Sequence, residues 1–411
     1  MFRGGLDHTG VYQGAGLRQT PAVKWRFQTG GPVLSSPAVD NGTVYFGSSD
    51  QDFYAVEQAT GKLKWKFHTE SAVASSPAVA NGTVYFGSFD GAFYALDAAR
   101  GTLKWKFETE GERRFSHRRL HGLQPYAEMM PDPWDFWMSS PAVANGMVYF
   151  GSGDSYVYAL DAATGAVRHK FPTGDVVHAS PAIAGGNLVI GSWDSFVYAL
   201  DATSFKFKWS FQGGLDPQTG NQQGFQSSPA VAGGTVYIGC RDSNVYALDL
   251  ATGKKKWAFN NAGSWVLTSP AVHDGKVYIG TSDSGLFHEL DAATGAKLFT
   301  INGKVPYYAS PAIANGALFL GTFDGRVQAF DVKTHEPLWT FETEASKKNA
   351  ALYRKEDGSM DFSKLISAVF YDEMVLAVHK MYGTGAFLSS PSIVGDTLFI
   401  GSADGAVYAL K

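Results

Sequence analysis

PAVAGGTVYIGCRDSNVYALDLATGKKKWAF, residues 229–259, reads as four short strands joined by turns of recognisable chemistry. Pro229-Ala230-Val231 opens the first strand. Gly233-Gly234 then marks a two-residue hairpin, because both central residues can take positive φ. Val236-Tyr237-Ile238-Gly239 forms the second strand, and a turn ending in Asp242 leads to Val245-Tyr246-Ala247-Leu248. In Asp249-Leu250-Ala251-Thr252-Gly253 the aspartate can accept from backbone N–H groups ahead of it, while the glycine sits in the left-handed region. Trp257-Ala258-Phe259 closes the unit.

Working outward, the Ser-Pro step recurs with its proline at 37, 77, 141, 181, 229, 270, 311 and 391. Four antiparallel strands repeated at about forty residues predict the blades of a β-propeller. The fourth strand occurs at Trp25, Trp65, Trp105, Trp209, Trp257 and Trp339, with His169 and Phe299 in place of tryptophan in two units. The first of these, Lys24 to Phe27, has no strands of its own unit before it, and the last unit, Ser389 to Lys411, lacks a fourth strand. The N-terminal strand is therefore expected to complete the final blade and remove the open edge of the ring. The expected fold is all-β: one eight-bladed propeller domain over 1–411, with a small helical insertion. Proline cannot donate to a ladder, so Ser-Pro marks the inner edge strand of each blade and Trp-x-Phe the outer one.

The chain has 411 residues, 45% hydrophobic and 18% charged, with 47 glycines and 14% aromatics, a mix that suits many strands and tight turns. Its net charge of −4 provides no field for nucleic acid, and no apolar run reaches the length of a transmembrane helix. The single cysteine, Cys240, excludes an intrachain disulfide and a multi-cysteine metal site.

The proline spacings are 40, 64, 40, 48, 41, 41 and 80, so three units carry extra residues. The excess lies at about 108–138, 212–226 and 343–388, always between an outer strand and the next inner one. Because strand direction alternates, all three insertions emerge at one mouth of the channel, beside the Gly-Ser-x-Asp turns. Long loops on a rigid scaffold are where function concentrates. The third insertion predicts helix: Phe362, Leu365, Ile366, Val369 and Phe370 share a face behind Asp361, and a second helix is expected after Asp372 with Val375, Val378 and Tyr382. The first insertion is basic and aromatic: Arg113, Arg114, His117, Arg118, Arg119 and His121, then Trp134, Phe136 and Trp137.

Candidate residues are the places where the repeat varies. Eight turn aspartates (Asp50, Asp90, Asp154, Asp194, Asp242, Asp283, Asp324, Asp404) form a potential cation ring, but capping one turn eight times is the simpler reading. The residue before each aspartate varies and includes Trp193 and Arg241 in neighbouring units. An aromatic plane beside a guanidinium suits a flat anionic ligand, against the plainer alternative of a surface tryptophan and a solvated arginine. Three residues before each proline, His178, Gln226 and Tyr308 are the polar members and are expected at the channel mouth. With Trp137, Arg113 and Arg114 they complete the candidate ligand-binding set; no catalytic set and no metal site is placed. The Gly-Ser-x-Asp pattern is turn punctuation, not a phosphate loop.

Ser-Pro-Ala-Val, Val-Tyr-x-Gly-Ser-x-Asp, Val-Tyr-Ala-Leu-Asp-Ala-Ala-Thr-Gly and Trp-x-Phe, fullest over 141–171 and 229–259, resemble the pyrroloquinoline quinone (PQQ) repeat. That family includes quinoprotein alcohol and glucose dehydrogenases, the propeller scaffold of the outer-membrane β-barrel assembly machine, and members without assigned activity. The dehydrogenases carry a vicinal Cys-Cys disulfide over the cofactor, which one cysteine excludes, and a calcium or lanthanide site whose Glu, Asn and Asp ligands find no counterpart here. The assembly scaffold is closer in size but is a lipoprotein, and no lipobox cysteine is present. The resemblance thus implies a non-catalytic binding or scaffold propeller without a cofactor, the alternative being a PQQ oxidoreductase with Ca²⁺. It further implies export to the periplasm or medium, with a signal peptide removed. The expected partner is a protein or a small anionic or aromatic ligand at the insertion face, bound by a monomer.

Overall fold

The computed structural model describes residues 2–112, 115–116, 124–125, 128–130, 132–215, 224–365 and 369–411. Eight four-stranded antiparallel sheets form the ring. In the first blade, β2 (Ala38–Asp40), β3 (Thr43–Gly47), β4 (Asp52–Glu57) and β5 (Leu63–His68) run from the channel outward. The inner strand is three residues long because proline lies just before it, while β3 and β4 are almost wholly buried and read as continuous apolar runs. β1 (Val23–Gln28) pairs with Ala406–Leu410, Trp25 opposite Ala409 and Phe27 opposite Val407, so the last blade is closed by the start of the chain as expected.

Two devices fasten the blades to one another. Five outer-strand tryptophans donate the indole N–H to a carbonyl in the turn before the outer strand of the following blade, as Trp209 does to Leu250 at 2.9 Å, and Trp339 donates instead to Leu17 O at 2.8 Å. Gly253 in that turn has φ +70°, and a Cβ there would lie 2.5 Å from the Trp209 ring. Glycine is needed both for the backbone angle and for the stacked ring. On the channel side, the serine before each inner-strand proline accepts the backbone N–H of its counterpart one blade back. The chain of bonds runs from Ser36 N–H to Ser76 Oγ around to Ser390 N–H and Ser36 Oγ, each at 2.8–3.1 Å.

The turn aspartates perform a repeated structural task in six blades. Asp194, for example, accepts from Phe196 N–H at 2.9 Å, Gly174 N–H at 2.7 Å and the Tyr198 hydroxyl at 2.7 Å. Gly174 belongs to an outer-to-inner connection, which puts those connections and these turns on one face. The expectation of eight equal caps is corrected at Asp283 and Asp324. Their blades carry His288 and Gln328 where the other six have the tyrosine, so the tyrosine hydroxyl bond is not made there. Asp283 is exposed, and Asp324 instead binds Arg326 and Arg354, each at 2.7 Å.

The third insertion holds α1 (Glu344–Tyr353), α2 (Phe362–Leu365) and α3 (Tyr371–Tyr382). α3 is the helix expected after Asp372. The single amphipathic helix expected through Phe370 is instead the four-residue α2, with 366–368 outside the described residues. α1 carries little apolar periodicity and was not expected. Thr343 caps it by accepting Ser346 N–H at 3.1 Å, and Arg354 ties its end to Asp324 and Glu342. At the opposite mouth, residues 2–12 lie across the inner strands. Their carbonyls take the N–H groups of Ile183, Val231, Val272 and Ile313 at 2.7–2.9 Å. Arg3 is buried there on the carbonyls of Pro270 and Pro311. No helix among the described residues is long and apolar enough to cross a membrane.

Candidate functional site

The insertion-bearing mouth has a hydrophobic core of its own, separate from those between blades. Phe136 from the first insertion, Val378 and Met381 from α3, and Trp265, Tyr308 and Phe323 from the blade loops pack together there. The polar residues predicted from the repeat variations converge under this cover. Trp193 and Arg241 do come together, but Arg241 is fully buried rather than solvated. Its guanidinium lies 4.6 Å from the ring centres of both Trp193 and Trp265, a residue the repeat comparison did not single out. Asp132, from the first insertion, reaches Arg241 Nη1 at 3.2 Å, and neither side chain is exposed by more than 1%.

His178 is buried one blade away. Its Nδ1 is 2.5 Å from Asp135 Oδ2 and its Nε2 is 3.0 Å from Glu112 Oε2. Burial by itself would lower the imidazole pKa, but the charges and hydrogen bonds of Asp135 and Glu112 outweigh it and raise the pKa well above its ordinary value. Gln226 donates from Nε2 to Asp135 Oδ1 at 3.1 Å, and its buried Oε1 is left without a hydrogen bond. Tyr308 packs edge-on to Phe323 at 4.8 Å and lies 6.0 Å from Phe136 and from Trp137; Trp137 donates to Leu388 O at 3.2 Å. Arg113 and Arg114, and the rest of that run through His121, lie outside the described residues.

The first insertion thus supplies three acidic side chains, Glu112, Asp132 and Asp135, to two cations on the ring. The basic run at 113–121 and the aromatics Trp134, Phe136 and Trp137 stood out in the sequence; Glu112 adjoins the run, and Asp132 and Asp135 lie among the aromatics. Asp132-Pro133-Trp134-Asp135 was legible as a turn-prone acidic and aromatic step, but nothing local said which cations it would meet.

Two spaces remain. A cavity of about 30 Å³ lies in the channel, lined by the serine ring and by His178, Gln226, Tyr308 and Trp137. A groove of about 510 Å³ opens beside it, between α3, the first insertion and the loops of the first two blades. PQQ is a flat tricyclic tricarboxylate. The facing Trp193 and Trp265 rings, which have the spacing of a sandwich, are filled by Arg241, and the channel cavity has room for little more than a water or two. Among the described residues, no group of three or more His, Cys, Asp or Glu is placed to hold a metal ion. The described residues of the channel cavity and the tryptophan pair do not fit PQQ with its metal.

A search of curated proteins returns no match. Among solved structures, BamB from Moraxella catarrhalis superposes with a TM-score of 0.69 at 16% identity, covering 95% of this chain and 100% of that one. A europium-containing methanol dehydrogenase gives 0.72 at 14%, covering 100% and 97%. A quinohemoprotein alcohol dehydrogenase from Comamonas testosteroni gives 0.71 at 15%, covering 98% and 79%. At these identities the likeness is one of fold. The sequence profile of the PQQ-repeat family described as outer membrane protein assembly factor BamB matches residues 17–123, 116–263 and 257–383. With the repeat, the closed ring and that match together, the chain belongs to the BamB-like family of PQQ-repeat β-propellers.

Proposed function

We propose that this protein is a non-catalytic binding propeller, a scaffold of the periplasm whose working face carries the insertions, and that its partner is a protein of outer-membrane assembly. One observation carries the reading. The groups at the channel mouth that resemble catalytic or ligand-binding residues are already committed to each other, Arg241 to Asp132 and His178 to Asp135 and Glu112. Beside them, Val369, Phe370 and Leu376 of the third insertion are 62%, 54% and 60% exposed, an apolar set offered to solvent at the same face. The family description supplies the class of partner.

Adding PQQ and Ca²⁺ to the purified protein is expected to change neither the absorbance spectrum nor the melting temperature. Stoichiometric uptake with alcohol oxidation would overturn the reading in favour of a quinoprotein. Co-elution with purified outer-membrane assembly components is expected for the unaltered chain and is expected to be lost in Phe370→Glu/Leu376→Glu. A complex indifferent to that pair would place the working face elsewhere.

A further inference from the structure

We propose that the groove between α3 and the ring mouth binds a free organic ammonium ion, a quaternary or tertiary amine bearing apolar groups. The inference does not depend on the scaffold reading. At about 510 Å³ the groove is of the size that holds a small ligand. Five rings line it: Phe89, Phe136, Tyr371, His379 and Tyr382. Phe136 meets Tyr382 edge-on at 6.3 Å and His379 stacks on Tyr382 at 5.9 Å, so the walls are set at differing angles around the space. α3 contributes Tyr371, Val375, Val378, His379 and Tyr382 from one helical face, a spacing that keeps them side by side.

The charge of the site has one sign. Asp135 is the only acidic residue lining the groove, and no lysine or arginine lines it among the described residues. Asp135 belongs to a trio with the buried His178 imidazolium and with Glu112, whose side chain is 24% exposed; two carboxylates and one imidazolium leave one formal negative charge, and the neighbouring Arg241–Asp132 pair adds none. A cation set against ring faces and near a desolvated carboxylate is favoured by both. The remaining hydrogen-bonding capacity selects among cations. Each Asp135 oxygen already accepts one bond, Oδ2 from His178 and Oδ1 from Gln226, so a primary ammonium, with three N–H groups to satisfy, finds fewer open acceptor sites on it than it needs. A quaternary or tertiary centre needs few or no acceptors, and its diffuse charge is matched by the rings.

Calorimetric titration with choline, benzyltrimethylammonium and 3,3-dimethylbutan-1-ol, the uncharged isostere of choline, tests this. Both cations are expected to bind, with choline favoured over its isostere by about tenfold, the scale of a partly desolvated cation–π contact. Nα-acetyl-lysine methylamide, which presents a lysine side chain, is expected to bind more weakly than either. Val375→Trp fills the groove and is expected to abolish binding. His379→Ala, at an exposed position on the rim, removes one wall without touching the core and is expected to weaken binding severalfold. Equal affinity for the isostere, tighter binding of the lysine amide, absence of binding by both cations, or affinity unchanged in both variants would overturn the proposal.

Discussion

Arg241 takes the residue position that most blades give to a small or apolar side chain, and the surroundings have been built to suit it. Two indole faces cover its planar group, and Asp132 supplies the counter-charge. Removing one partner of such a buried pair strands the other. Arg241→Met is therefore expected to cost about 3–5 kcal/mol in chemical denaturation, and Arg241→Met/Asp132→Asn clearly less than the two single changes summed. Additive losses would mean that the pair is not coupled. His178 gives a pH signature. Its pKa is raised on folding, so its contribution is fully present below the ordinary value of 6.5 and is lost as pH climbs through the elevated value of the folded state. Stability is expected to fall as the pH rises above 6.5, by up to about 1.4 kcal/mol per pH unit relative to His178→Asn, until the imidazole of the folded state has titrated. A gap between the two proteins that stays constant over that range would contradict the assignment.

At the scale of the element, the blade-to-blade clamp shows compensation. Where tryptophan is replaced by His169, the glycine of the next turn is replaced by Phe205, and the two rings stack at 5.5 Å. Where it is replaced by Phe299, the next turn carries His335, stacked at 4.0 Å. Both substitutes sit at positive φ, 59° and 62°, a strain the ring contact offsets. His169→Trp alone is expected to destabilise by about 1–3 kcal/mol through overpacking against Phe205, and His169→Trp/Phe205→Gly is expected to regain most of it, read as melting temperature. The turn aspartates vary in the same way, since the two that leave their common role lie in blades that carry His288 and Gln328 at the strand position of the tyrosine. Both exchanges were visible in the aligned repeats. The sequence reading registered His169 and Phe299 but not Phe205, His335, His288 or Gln328, because these partners lie in different strands or in the following blade.

At the scale of the molecule, three belts hold the ring. They are the strand exchange of β1, the circle of serine hydroxyls, and residues 2–12 across the far mouth. They differ in what each protects. Deleting residues 2–12 is expected to leave a cooperative ring but to speed amide exchange at Ile183, Val231, Val272 and Ile313, whose N–H groups that segment occupies. Deleting residues 2–28 takes β1 as well, leaves Ala406–Leu410 as an unpaired edge, and is expected to lower the melting temperature far more and to promote association. Similar melting temperatures for the two truncations would deny β1 its closing role.

The repeat by itself determined the number of blades, the order of strands, the closing strand and the face that receives the insertions. Each of these follows from short-range pattern and a count, and a period repeated eight times outweighs any local ambiguity. It also marked Trp193, Arg241, His178, Gln226 and Tyr308 as departures that share one mouth. Only the tertiary structure decided what those residues touch. Arg241 meets an aspartate 109 residues away, and His178 meets acids from the outer-to-inner connection one blade earlier. Such pairings are fixed by how an irregular insertion packs onto a rigid ring, and no periodicity encodes that. The fold was legible because it is written many times; the chemistry of the mouth is written once, in pieces that meet only when the ring is closed.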